Sequence, residues 1–284
     1  MRKIFHLLSM AVLVAAIGCN RGTQNGTEEA LKVMSFNIRM SDGSEQTDGD
    51  NHWQHRKEAV VEMLQAEHPA VIGMQEVCWE QMVYLQEHLT GYAGLGVGRD
   101  DGVEAGEVMA IFYDEAELEA TVWGTFWLSE TPGEVSRGWD AACHRTATWA
   151  IFRNRLSGQK WAMINTHLDH KGPEARREGM RLIANRVEAL KAQGLPVVIT
   201  ADFNATTDEE IFAPLYAAAD DARKVAKESD ESDTFNGWGK SHSQIDHIFC
   251  SGYEVERFAV LTDDYGVPYI SDHYPVVAEV KGEN

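Results

Sequence analysis

Short runs of apolar and β-branched residues recur along the chain at the length of strands. They are Leu31–Ile38, Ala70–Gln75, Val108–Tyr113, Ala120–Trp127, Thr146–Phe152, Trp161–Thr166, Pro196–Ala201, Gln244–Phe249, Val255–Leu261 and Val276–Val280. Stretches with helical spacing separate some of them: Trp53–Glu67, Gln81–Leu89, Pro173–Gln193 and Glu209–Ala219. Pro173 suits a first helical turn, and Gly194 falls just past a helix end. Between Val108 and Thr166 strands follow one another directly, whereas elsewhere helices intervene. That alternation is too irregular for a barrel of eight repeated units and too helical for a sandwich of strands alone. It predicts an α/β arrangement of two mixed sheets packed face to face with helices outside. No fixed-period repeat and no Pro- or Ser-rich linker divides residues 31–284, which read as one domain.

The first thirty residues follow a different pattern. Arg2 and Lys3 precede an apolar run from Ile4 to Ile17 broken only by His6 and Ser9, too short for a membrane span and suited to a secretory signal. The run ends in Ala16-Ile17-Gly18-Cys19, which resembles the lipobox of bacterial lipoproteins. Residues 1–18 are expected to be a signal peptide and residues 19–30 a flexible tether acylated at Cys19. The protein is therefore expected to be exported and lipid-anchored to a bacterial membrane, as a periplasmic or cell-surface lipoprotein. Cys78, Cys143 and Cys250 are odd in number and lack CxxC spacing, so they read as isolated thiols.

Composition narrows the classes. With 44% hydrophobic and 25% charged residues, the 284-residue chain is ordinary for a globular domain, which excludes disorder, collagen and coiled coil. A formal charge of −20 argues against a purely electrostatic nucleic-acid binder, which needs a basic face. It leaves room for an enzyme that meets phosphates through bound cations.

Candidate chemistry lies where strands finish. Carboxylates, amides and histidines sit at or just beyond strand ends: Asn37, Glu76, His167, Asp169, Asp202, Asn204, Asp246, Asp272 and His273. Strand termini deliver such groups to the rim of a sheet, where ligands commonly bind. Oxygen donors suit a hard cation, Mg²⁺ or Mn²⁺ and also Ca²⁺. Two histidines add acid–base capacity near neutral pH, and Asp246 and Glu107 are suited to orient them. A zinc centre built from His167, His170 and His242 or His247 finds no HExxH-like spacing to support it. Taken singly, Asp202 and Asn204 fit a turn or a helix cap equally well.

Met34-Ser35-Phe36-Asn37, Gln75-Glu76-Val77, Asn165-Thr166-His167-Leu168-Asp169-His170, Ala201-Asp202-Phe203-Asn204, Ile245-Asp246-His247-Ile248 and Ser271-Asp272-His273 occur in that order. The ordered set is similar to the successive motifs of the endonuclease/exonuclease/phosphatase superfamily. This resemblance implies the deoxyribonuclease-I-like fold, a four-layer α/β sandwich. It implies Glu76 as the principal metal ligand, with Asn37 close by and Asp272 and Asp202 as further ligands. Asp202 and Asn204 would position the attacking water and the phosphate. His273, held by Asp246, and His167, oriented by Glu107, would be the catalytic histidines. Arg145 and His170 are candidate substrate contacts. The implied reaction is metal-dependent hydrolysis of a phosphodiester or phosphomonoester by in-line attack of water. The substrate is nucleic acid, nucleotide, phospholipid headgroup or sugar phosphate, and no protein partner is implied. A surface binding protein that retains the fold without turnover, and a sphingomyelinase-like lipid phosphodiesterase, are the alternatives.

Overall fold

The computed structural model describes residues 30–43 and 45–283; the signal segment and Cys19 lie outside them. The chain begins with strand β1 (Leu31–Asn37), the short helix α1 (Glu45–Asp48) and helix α2 (Trp53–Glu67). It continues through β2 (Val71–Val77), α3 (Trp79–His88), β3 (Tyr92–Leu95), β4 (Val108–Asp114) and β5 (Leu118–Trp127). Then come β6 (Thr146–Asn154), β7 (Lys160–His167), α4 (Pro173–Lys191), β8 (Val197–Asp202) and α5 (Ala213–Tyr216). The two-residue strands β9 (Asp220–Asp221) and β10 (Glu228–Ser229) flank α6 (Ala222–Val225), and β11 (Asp246–Ser251), β12 (Tyr253–Val260) and β13 (Val276–Gly282) complete the order.

Two mixed sheets result, one ordered β10-β12-β13-β1-β2-β4-β3 and the other β5-β6-β7-β8-β11-β9. The period-two alternation of strand side chains divides their apolar residues between two faces. Val33, Val71, Met163, Val198 and Ile248 meet in the layer between the sheets. Met34, Phe36, Ile72 and Met74 pack outward under α2 and α3, while Ile164, Val197 and Ile199 pack under α4. The architecture is thus helix, sheet, sheet, helix, as the sequence pattern and the resemblance imply.

Following the inner face along each strand shows why one end of this sandwich is polar. Val33, Ser35 and Asn37 share a face of β1, Met163, Asn165 and His167 a face of β7, and Val198, Thr200 and Asp202 a face of β8. Each strand therefore passes from apolar to polar along this face, ending in an amide, an imidazole or a carboxylate. The neighbouring registers Asn37↔Gln75, His167↔Asp202 and Asp202↔Asp246 align those ends.

The middle of the inner layer is a buried polar knot. Asn165 donates to the carbonyls of Met74 and Ala110 at 2.7 and 2.8 Å, and its Oδ1 accepts from Gln75 and Thr200 at 2.7 and 3.1 Å. A bulge breaks the β2–β4 register between Met74 and Val77, and Asn165 reaches carbonyls on both of those strands there. The sheets approach so closely that a Cβ on Gly73 would lie 1.9 Å from Thr200 Oγ1.

Several details depart from the sequence reading. The helix expected over Glu209–Ala219 is a 3₁₀ turn, Glu210–Phe212, followed by the four-residue α5, because Pro214 has no N–H to continue a longer helix. The strand β3, Tyr92-Ala93-Gly94-Leu95, is short and lacks β-branched residues, so its two apolar ends do not mark it as a strand. Cys78, Cys143 and Cys250 are free thiols, as expected. Among the described residues, no helix is long and apolar enough to cross a membrane.

Replacing Asn165 by Leu strands four buried polar partners, and Gly73→Ala forces Thr200 aside. Each substitution is expected to destabilise the protein by about 2–4 kcal/mol in urea unfolding; wild-type midpoints would contradict this account of the knot.

Candidate active site

At the polar end of the sandwich, the residues singled out in the sequence converge. Asn37 Nδ2 donates to Asp202 Oδ2 at 2.9 Å and to Glu76 Oε1 at 3.1 Å, bridging the two sheets. Asp202 Oδ2 also lies 3.4 Å from His167 Nε2 and 3.8 Å from His273 Nε2, between the two imidazoles. Asp246 holds His273 through Nδ1 at 2.8 Å. Asn204 donates to His167 Nε2 at 2.8 Å and to the Leu168 carbonyl at 3.0 Å, while its own N–H donates to Asp202 Oδ1 at 2.9 Å.

Glu76 reaches this point by a backbone departure. It has φ of +60° beside the β2 bulge, a left-handed conformation costly for a residue with a Cβ. An undistorted strand would turn Glu76 away from the face that carries Gln75. Asn37 and the Met40 N–H, which donates to Oε2 at 3.1 Å, hold the turned carboxylate in place. Asn204 has φ of +49°, so two of the converging residues sit on strained backbone. Asp272 carries the adjoining corner: its carbonyl accepts the N–H groups of Asn236 and Gly237, and Ser271 Oγ donates to the Asn37 carbonyl at 2.7 Å.

Electrostatics follow from burial and from these pairs. Burial opposes charge on Glu76, yet Arg39 and His273 outweigh it and hold the carboxyl below its usual range. Burial, then the charge of Asp246, push Asp202 up to about 7, and burial also raises Asp272. His273 is driven the other way, up to about 10, because the Asp246 carboxylate overcomes the burial that disfavours its charge. Burial, and then the charges of Arg145 and Arg99, hold His167 well below the usual histidine range.

Glu107 departs from the expectation that it orients His167. It accepts from Arg99 Nη1 at 2.7 Å, and His167 Nδ1 has no hydrogen-bond partner among the described residues. The loop 98–107 folds back so that the guanidinium reaches the buried carboxylate first. Arg145 is buried beside the cluster, its Nη2 lying 3.0 Å from His170 Nδ1 and its Nε 3.4 Å from Asp169, while its Nη1 makes no hydrogen bond among the described residues. His170 itself is exposed. His247 and His242 do not join: the first bonds the Gln244 carbonyl at 3.0 Å, and the second lies 3.5 Å from Asp233.

The donor set fits a hard divalent cation. Glu76, His167 and Asp202 bring potential ligand atoms within 4.8 Å of one another, as do Asp202, Asp246 and His273. Two of the carboxylates are raised by burial, a condition that a cation in the same space relieves.

Arg56 is a residue that sequence reading passes over. It lies inside α2, 1% exposed, and its guanidinium donates to the carbonyls of Ile38, Arg39, Asn51 and Ile270. It thereby ties the loop carrying Met40 to the segment carrying Asp272. Only its position one turn in from Trp53, on an apolar helix face, hinted at burial. Arg56→Lys keeps the charge but cannot span four carbonyls. It should cost about 1–3 kcal/mol in denaturant unfolding, and a variant as stable as wild type would remove this role.

Comparison with known proteins follows the same lines. The Endonuclease/Exonuclease/phosphatase family profile matches residues 34–273. An endonuclease/exonuclease/phosphatase from Bacteroides vulgatus is 34% identical with a TM-score of 0.85, covering 90% of this chain and 100% of that one. A mannosyl-6-phosphatase from Bacteroides thetaiotaomicron is 34% identical with a TM-score of 0.82, covering 88% and 99%. The human nocturnin catalytic domain, at 19% identity and a TM-score of 0.70 over 90% and 94% of the two chains, shares the fold. This chain belongs to the endonuclease/exonuclease/phosphatase family.

Proposed function

We propose that the protein is a metal-dependent hydrolase of phosphate esters, anchored at a bacterial membrane through an acylated Cys19. The observation that carries the catalytic reading is the convergence of Glu76, Asp202, His167 and His273 around the Asn37 amide. The Bacteroides thetaiotaomicron relative, by its name a phosphatase, supports a phosphoester substrate.

Glu76, with Asn37, Asp202 and Asp272 at hand, would hold Mg²⁺ or Mn²⁺, which when bound withdraws charge from the phosphoryl oxygens. Asp202, fixed by Asn37 and by the Asn204 N–H, positions the attacking water. Asn204, left-handed and anchored to the Leu168 carbonyl, presents its amide beside His167 where a phosphoryl oxygen binds. Asp246 fixes His273 by Nδ1, which directs Nε2 to the reaction centre. The bond from water oxygen to phosphorus forms as the ester P–O bond breaks, and the departing oxygen takes a proton, leaving an alcohol and a phosphate. His167 and His273 face each other across Asp202 and handle the two protons of this exchange.

Hydrolysis of p-nitrophenyl phosphate and bis-p-nitrophenyl phosphate is expected to stop in EDTA and return with Mg²⁺ or Mn²⁺. Turnover indifferent to chelation would contradict the metal assignment, and absence of turnover on a broad phosphoester panel would favour a binding protein that keeps the fold. Glu76→Gln and His273→Ala should each lower kcat by about 10²-fold or more with native circular dichroism; full activity in either refutes its role.

A further inference from the structure

Arg145 and His170 meet at the edge of the reaction centre in a geometry that fixes the state of the imidazole. His170 is exposed and follows His167 closely, in the loop between β7 and α4. Its charge acts on His167, and the Glu76 carboxylate acts on it in turn, so it borders the same space.

The contact between the pair is Arg145 Nη2 to His170 Nδ1 at 3.0 Å. A guanidinium carries only N–H donors and no acceptor, so the imidazole nitrogen must accept. Nδ1 therefore bears no proton, and the neutral ring carries its hydrogen on Nε2. Burial, and then the Arg145 charge, lower His170 below the usual histidine range, which favours that neutral ring near neutral pH.

The arginine is itself anchored. It is 5% exposed, and its Nε donates to Asp169 Oδ2 at 3.4 Å. Asp169 accepts from the N–H groups of Gly172, Lys171 and Ala142 at 2.7, 2.9 and 3.1 Å. Against the burial that opposes its charge, these bonds and then Arg145 bring its carboxyl down to about 2. Backbone thus holds the carboxylate, the carboxylate the guanidinium, and the guanidinium the imidazole. Cys143, Asp169 and His170 bring potential ligand atoms within 4.8 Å of one another, but a guanidinium bonded to two of the three opposes a cation there. Arg145 Nη1 is buried with no hydrogen-bond partner among the described residues. The corner is short of acceptors, a deficit that an oxygen-rich ligand makes good.

We infer that Arg145 is a positioning residue that fixes the Nε2–H tautomer of His170, and that His170 donates this hydrogen bond to an oxygen of the bound phosphate ester. The role differs from that of His167 and His273: no proton is transferred, and the ring supplies a directed donor to a charged acceptor. The inference rests on the phosphoesterase reading above and adds to it the state of the ring and the residue that sets it.

Tautomer and turnover are read separately. Long-range proton–nitrogen correlation NMR spectra of the histidine rings, assigned by comparison with His170→Gln, should show His170 protonated at Nε2 and bare at Nδ1 near neutral pH. In Arg145→Met the ring should become a mixture of tautomers. With p-nitrophenyl phosphate and bis-p-nitrophenyl phosphate, Mg²⁺ present, His170→Ala should lower kcat/KM by about tenfold or more, and His170→Gln, whose amide N–H takes the place of Nε2–H, should stay within about threefold of wild type. A proton on Nδ1 in the wild type, or a tautomer unmoved in Arg145→Met, overturns the positioning role. Wild-type turnover in His170→Ala, or equal losses in the alanine and glutamine variants, overturns the donor role. The wild-type spectrum and the variants at exposed His170 stand even where Arg145→Met does not fold. No turnover of either ester by the wild type overturns the phosphoesterase reading and the donor role with it, while the spectrum still decides the tautomer.

Discussion

Asn37 sends its amide across the space between the two sheets to Asp202, and the polar end of the molecule is arranged around that bond. Glu76, Glu107, Asp202, Asp246 and Asp272 share a small and largely buried volume. Carboxylates so placed repel one another and lose hydration, so each needs a specific partner if it is to stay there. The structure supplies a partner for one or both oxygens of each: Arg39 and Asn37 for Glu76, His273 for Asp246, Asn37 and Asn204 for Asp202, Arg99 for Glu107 and Ser271 for Asp272. Without the Asn37 bridge, the acids of one sheet have no fixed relation to those of the other.

Holding that arrangement strains the backbone. Glu76 and Asn204 both adopt left-handed conformations, and Arg39, next but one to Asn37, does so too. Such residues persist where surrounding contacts over-determine them. Here those contacts are the Asn165 knot, which secures the bulged carbonyls beneath Glu76, and the four carbonyls gripped by Arg56. Both are buried polar groups that each make four hydrogen bonds, two to backbone carbonyls for Asn165 and four for Arg56, which makes them stiff supports for a geometry that must be kept within tenths of an ångström.

The overall acidity of the chain takes on a particular meaning at the site. A charge of −20 is a poor match for a polyanion and a good one for cations. Acids closest to Asn37 face the space suited to a divalent ion.

Alternation of apolar and polar residues made ten strands, the three long helices and the layered α/β class legible, because period two and period 3.6 are local properties of a chain. Motif order made Asn37, Glu76, His167, Asp202, Asp246 and His273 legible as a set, since each sits at a strand end where an inner face turns polar. The partner of Glu107 was not legible. The motif order pointed to His167, and only the path of loop 98–107 gave the carboxylate to the Arg99 guanidinium. Arg56 was hidden for the same reason, as nothing local says that a helical arginine will meet carbonyls from three separate segments. Local periodicity fixes which face a side chain occupies; which groups meet across that face depends on the closure of distant segments, and only the packed molecule decides it.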